Sequence, residues 1–222
     1  DWSSPANVLE KIIRYEAVHE IHDWDDLRRR IDPPDRRCYA FFHPALSDEP
    51  LIFVEVALSA DIPAAIQPLL AKERKVIKAG AARTAAFYSI SNCQQGLAGV
   101  SFGNFLIKQV VEELRRELPK LENFVTLSPV PGFMKWFESE GVKRLDDQGR
   151  ALTGFLQEAN WHKDATLAAS IRQALEPLAA FYFLEARSGK TRARDPVARF
   201  HLGNGARLER INWLGDTSAK GI

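Results

Sequence analysis

The sequence predicts a mixed α/β fold, and three observations carry that expectation. Short apolar or alternating runs at 38–42, 51–58, 85–91 and 124–127 have strand character. The stretches at 105–118 and 164–185 have helical periodicity. Between the third apolar run and the first of these helices lies a glycine-rich turn, so strand, turn and helix follow one another in a single unit.

Composition sets the frame. The 222 residues are 45% hydrophobic and 27% charged, as in an ordinary soluble domain with a sizeable core. Thirty basic and 29 acidic residues leave a net charge of +1, without the basic excess of a nucleic-acid binder. No apolar run reaches the roughly 18 residues that cross a bilayer. The start, Asp1-Trp2-Ser3-Ser4-Pro5, has neither an initiator Met nor the layout of a signal peptide, and reads as cut from something longer. Cys38 and Cys93 lack metal-type spacing and fit a reduced, cytoplasmic compartment of bacterial type. No long linker divides the chain, so residues 1–222 read as one domain.

Taken in order, residues 5–31 read as helical, with Pro5 near the start and Val8, Leu9, Ile12, Ile13 and Ala17 at helical spacing. Asp32-Pro33-Pro34-Asp35 stops the helix. The runs at 38–42 and 51–58 form an antiparallel pair across the turn-like residues 43–50. A short helix is expected at 62–71, capped by Asp61, with Pro63 in its first turn. After the strand at 85–91 and the turn at 96–103, Ile107, Val110, Val111, Leu114 and Leu118 line one helix face. Pro119 ends that helix, and the strand at 124–127 runs into Ser128-Pro129-Val130-Pro131-Gly132-Phe133. A short helix at 132–139, a turn at 146–149 and the long helix at 164–185 follow. Residues 187–199 read as a basic loop, and 207–214 as a final strand.

Five features bear on chemistry. The turn at 96–104 opens a helix, whose first N–H groups and dipole suit phosphate. Its Gly-x2-Gly-x3-Gly spacing is neither a dinucleotide fingerprint nor a P-loop, and a tight turn without a ligand reads equally well. Ser128 stands where a strand ends, the side on which crevices open in α/β sheets, but not in a nucleophile elbow. His201 lies in a turn-rich stretch before the last expected strand, where a histidine is either structural or functional. Ser188-Gly189-Lys190-Thr191 imitates the end of a P-loop, but Leu184 stands where the motif needs glycine. His19 and His22, three apart, have no companion ligands, so no metal site is expected.

Taken together, several strings resemble the malonyl-CoA decarboxylase family. They are Tyr15-Glu16-Ala17-Val18-His19, Arg36-Arg37-Cys38-Tyr39, Gln94-Gln95-Gly96-Leu97-Ala98-Gly99-Val100 and Gly103-Asn104-Phe105-Leu106-Ile107-Lys108. Leu127-Ser128-Pro129-Val130-Pro131-Gly132-Phe133, Phe200-His201-Leu202-Gly203-Asn204-Gly205-Ala206 and Arg210-Ile211-Asn212-Trp213 extend the likeness, as does Gly215-Asp216-Thr217-Ser218. The resemblance implies a fold like that of the GNAT acetyltransferases, a central mixed sheet flanked by helices. It implies coenzyme A bound at Ala98, Gly99, Val100, Ser101, Phe102, Gly103 and Asn104, with Ser128 and His201 at the acyl end.

The implied reaction turns malonyl-CoA into acetyl-CoA and carbon dioxide. Ser128 would engage the malonyl carboxylate and His201 would protonate the thioester enolate. No metal or organic cofactor is implied, because the thioester is the electron sink and coenzyme A is part of the substrate. A homo-oligomer is implied for the full-length form, and neither nucleic acid nor membrane as partner. Ser101 departs from members that carry an acidic residue there. The family's N-terminal helical domain and its extreme C-terminal segment are expected to be absent from this chain. Two alternatives stand beside this reading: a CoA-dependent N-acyltransferase with Glu55 as base, and a non-catalytic acyl-CoA-binding fragment.

Overall fold

The computed structural model describes residues 1–97, 102–189 and 192–222, with every side chain among them except that of Phe102. The chain forms two compact units, Asp1–Ser128 and Pro129–Ile222.

Four strands make the sheet of the first unit: β1 (Arg36–Phe42), β2 (Pro50–Ser59), β3 (Thr84–Asn92) and β4 (Asn123–Thr126), in the order β1-β2-β3-β4. β1–β2 and β2–β3 are antiparallel and β3–β4 is parallel, so the sheet is mixed as expected. Helices α1 (Ala6–Tyr15) and α2 (Trp24–Ile31) pack Leu9, Ile12, Leu27 and Ile31 with Phe53 on one face. After the short α3 (Gln67–Leu70), α4 (Phe102–Glu117) packs Leu106, Val110 and Leu114 with Val54, Val56 and Leu58 on the other face. β2 is therefore buried on both sides, which is why it reads as a continuous apolar run.

The single helix expected at 5–31 is two helices. Glu16 breaks it by turning its carboxylate back on the backbone N–H groups of Val18 and His19 and on the hydroxyls of Ser89 and Ser91. Asp23 then caps α2 through the Asp26 N–H. The helix expected at 62–71 shrinks to α3, which Ile66 rather than Asp61 precedes as N-cap.

In the second unit, α5 (Phe133–Ser139), α6 (Asp147–Thr153) and α7 (Ala165–Leu184) enclose Trp136, Phe137, Trp161, Ile171, Leu175 and Tyr182. The turn expected at 146–149 is the start of α6, capped by Asp146. The basic stretch is not a plain loop: β5 (Arg187–Ser188) and β6 (Arg192–Ala193) pair antiparallel, and α8 (Pro196–Gly203) follows. Lys190 and Thr191 of the P-loop imitation lie outside the described residues. Residues 207–214 form no strand. No helix among the described residues is long and apolar enough to cross a membrane.

Candidate functional site

The geometry begins with a fork in the first sheet. β3 and β4 pair only from Thr84↔Asn123 to Phe87↔Thr126, and a last bond joins the Leu127 N–H to the Phe87 carbonyl at 2.9 Å. Beyond it β3 runs on to Asn92 and, among the described residues, no strand of the sheet pairs with 88–92 on that side. Such an edge leaves backbone groups open to an extended ligand. Ser128 follows β4 at the mouth of this fork, half-buried.

A β-bulge sits at the same place. Glu55 faces Ser89 while Val56 faces Phe87, so Tyr88 is an extra residue. The bulge resets the alternation: Phe87 and Ile90, three apart, both pack toward α4, and Tyr88 turns away against Ala57, Ile66 and Leu127.

Behind the bulge lies a buried charge cluster. The Arg30 guanidinium donates to the His19 and Glu20 carbonyls at 2.6 and 2.7 Å and to both Asp26 oxygens, and it stands 3.5 Å from Glu55. Burial pushes Asp26 up, but the Arg30 hydrogen bond and charge outweigh it and hold that carboxyl below its usual range. Burial, and then the nearby Glu16 carboxylate, push Glu55 up to about 8. Glu55 has no exposed surface and lies on the face that packs against α1 and α2. It is thus not placed to take a proton from an acceptor amine, which disfavours the N-acyltransferase alternative.

The turn at 96–104 is only partly described. Residues 95–97 form a 3-10 turn, Ala98, Gly99, Val100 and Ser101 lie outside the described residues, and Phe102, Gly103 and Asn104 form the first turn of α4. That first turn carries the N–H groups that lack partners within a helix.

His201 lies in the last turns of α8, not in a turn before a strand. It is half-buried, and burial alone lowers its pKa, so a proton it carries is easier to give up. Asp195 caps α8 with one carboxylate oxygen, which accepts from Val197 and Ala198 N–H, both at 2.9 Å. Its other oxygen accepts from the Gly132 N–H and the Tyr182 hydroxyl, both at 3.4 Å. Burial and the Asp195 charge push the Tyr182 phenol up to about 12. A Cβ at Gly132 would overlap the Tyr182 hydroxyl, so any other residue there would displace Tyr182.

Sequence reasoning singled out Ser128 and His201 as candidates and did not name Asp195, Tyr182 and Arg30. A signal for Asp195 was present: Asp195-Pro196 is an N-cap followed by proline at the first helical position. Cys38 and Cys93 are free thiols whose pKa values burial raises, which makes them unreactive. No group of three metal-ligating side chains gathers among the described residues.

Comparison with known proteins gives these features a family. The model of the malonyl-CoA decarboxylase C-terminal domain matches residues 1–222. Mitochondrial malonyl-CoA decarboxylases from Anser anser anser and Mus musculus are 42% and 41% identical over this whole chain, which covers 48% and 49% of their lengths. The crystal structure of malonyl-CoA decarboxylase from Rhodopseudomonas palustris is similar at 63% identity, with a TM-score of 0.93 over the whole chain and 55% of its own. That of malonyl-CoA decarboxylase from Agrobacterium vitis is similar at 57% identity, with a TM-score of 0.95 and the same coverage. The chain therefore spans about half the length of the relatives it matches. On the match of the whole chain to the family's domain and on these identities, the chain belongs to the malonyl-CoA decarboxylase family.

Proposed function

We propose that the full-length protein decarboxylates malonyl-CoA to acetyl-CoA and carbon dioxide, with this chain supplying the site. The observation that carries the reading is the fork between β3 and β4 with Ser128 at its mouth. The pantetheine arm of the thioester is an extended chain with two amides. It would lie along the open edge of β3, its amides on the strand's backbone groups, and deliver the acyl group toward Ser128. The pyrophosphate would rest on the turn at 98–104, where the first N–H groups of α4 and the helix dipole favour an anion.

In this reading the Ser128 hydroxyl holds the malonyl carboxylate. The bond between that carboxyl carbon and C2 breaks, carbon dioxide leaves, and the electron pair passes into the thioester as an enolate. His201 then gives its proton to C2, which completes acetyl-CoA. The thioester carbonyl is the electron sink, so the reading calls for no organic cofactor.

Ser128→Ala tests the acyl end. It is expected to weaken binding of malonyl-CoA while leaving acetyl-CoA, which lacks the carboxylate, within about twofold. A hydrogen bond to a charged group contributes about 1.5–3 kcal/mol, or about 10- to 150-fold in affinity. Competition binding with both thioesters on the full-length protein measures this. Equal loss for both would remove Ser128 from the carboxylate site.

A further inference from the structure

We infer that Asp195 is a positioning residue for the decarboxylation, tying the segment that leaves Ser128 to the helix that carries His201. The inference rests on the functional reading above.

Asp195 is 0% exposed, and a carboxylate without water is costly unless its oxygens are bonded. A helix cap needs only one oxygen, which serine or asparagine supplies as well. Here the oxygen facing Val197 and Ala198 does the capping. The other points away from α8 to the Gly132 N–H and the Tyr182 hydroxyl. The bond to Gly132 links segments 63 residues apart.

What it links matters. Gly132 ends the segment Ser128-Pro129-Val130-Pro131-Gly132, in which two prolines fix φ and leave little slack. Holding Gly132 therefore restrains the short, stiff segment 129–132 at its far end. At the other end, α8 is only 8 residues long, so its N-cap largely decides how it is held, and His201 lies within it. Tyr182, in the middle of the second unit's core, anchors the same oxygen to α7. One buried carboxylate thus holds both the start of the helix that carries His201 and the end of the segment 129–132, while touching no reacting atom.

Asp195→Asn is the informative variant. An amide has one acceptor oxygen, so it can cap α8 or hold Gly132, but not both. In the full-length protein kcat for malonyl-CoA is expected to fall about 10²-fold, the scale of a misplacement of about 1 Å. KM is expected to stay within about twofold, because coenzyme A is held elsewhere. If Asp195 acts through His201, Asp195→Asn adds little further loss in a His201→Ala background. Ser128→Ala and His201→Ala run alongside, with thermal melts to show that each variant is folded. Turnover of Asp195→Asn within twofold of wild type, with both of those variants impaired, would overturn the positioning role alone. So would KM rising in step with the loss of kcat, or the full loss persisting without His201. Normal turnover in Ser128→Ala and His201→Ala would overturn the functional reading itself, and the positioning role with it.

Discussion

In the full-length protein, His201→Ala is expected to lower kcat for malonyl-CoA by about 10²- to 10⁴-fold, the usual contribution of a general acid. KM should change little, because the lost interaction is made when charge develops on C2 and not when the thioester binds. Two features favour His201 for the task. It sits in a short helix whose start is pinned by Asp195, and burial lowers its pKa, which makes its protonated form a better donor. Steady-state carbon dioxide release across a range of malonyl-CoA concentrations measures both parameters. Turnover near that of wild type would remove His201 as proton donor, and a large rise in KM at unchanged kcat would make it a binding residue instead.

Arg30→Met is expected to produce the largest loss of stability, about 3–5 kcal/mol, as when one partner of a buried ion pair is removed. Methionine replaces most of the volume but none of the donors. The His19 and Glu20 carbonyls and both Asp26 oxygens lose their Arg30 bonds, and Glu55 loses the guanidinium 3.5 Å away. The consequence reaches the site, since the residues Arg30 holds include the segment after Glu16, whose carboxylate fastens Ser89 and Ser91 of β3 next to the bulge. Urea unfolding of wild type and variant under the same conditions gives the difference. A midpoint unchanged within error would mean that the cluster contributes nothing to the fold.

The strands were legible because β1, β2, β3 and β4 each carry a run of apolar residues, buried in β2 and β3 and half-buried for the most part in β1 and β4. Ser128 was legible for a related reason: a strand that runs into Ser-Pro must end there. The break at Glu16 was not, because it depends on Ser89 and Ser91, more than 70 positions away in sequence, and helical spacing continues past it. The bulge at Tyr88 was hidden because a run rich in small and aromatic residues alternates acceptably in either phase. Around His201 the glycine- and asparagine-rich Leu202-Gly203-Asn204-Gly205 suggested a turn, and it does end α8 there, but the Asp195-Pro196 start placed His201 inside the helix. Residues 207–214 alternate like a strand yet pair with nothing in the sheet, a case where local pattern without a partner makes no strand. Asp195 itself reads as a cap from sequence, but its second role depends on Gly132 and Tyr182 meeting it in the folded chain.

In the proposed reaction the carboxylate is cut from malonyl-CoA and the carbon left behind is protonated. The most direct test is a product assay on the full-length protein with malonyl-CoA as the only substrate, run in deuterium oxide. Carbon dioxide and acetyl-CoA are expected in equal amounts, without free thiol, and with one deuterium at C2 of the acetyl group supplied through the general acid. Release of free coenzyme A without carbon dioxide, or binding of malonyl-CoA with no turnover at all, would contradict it.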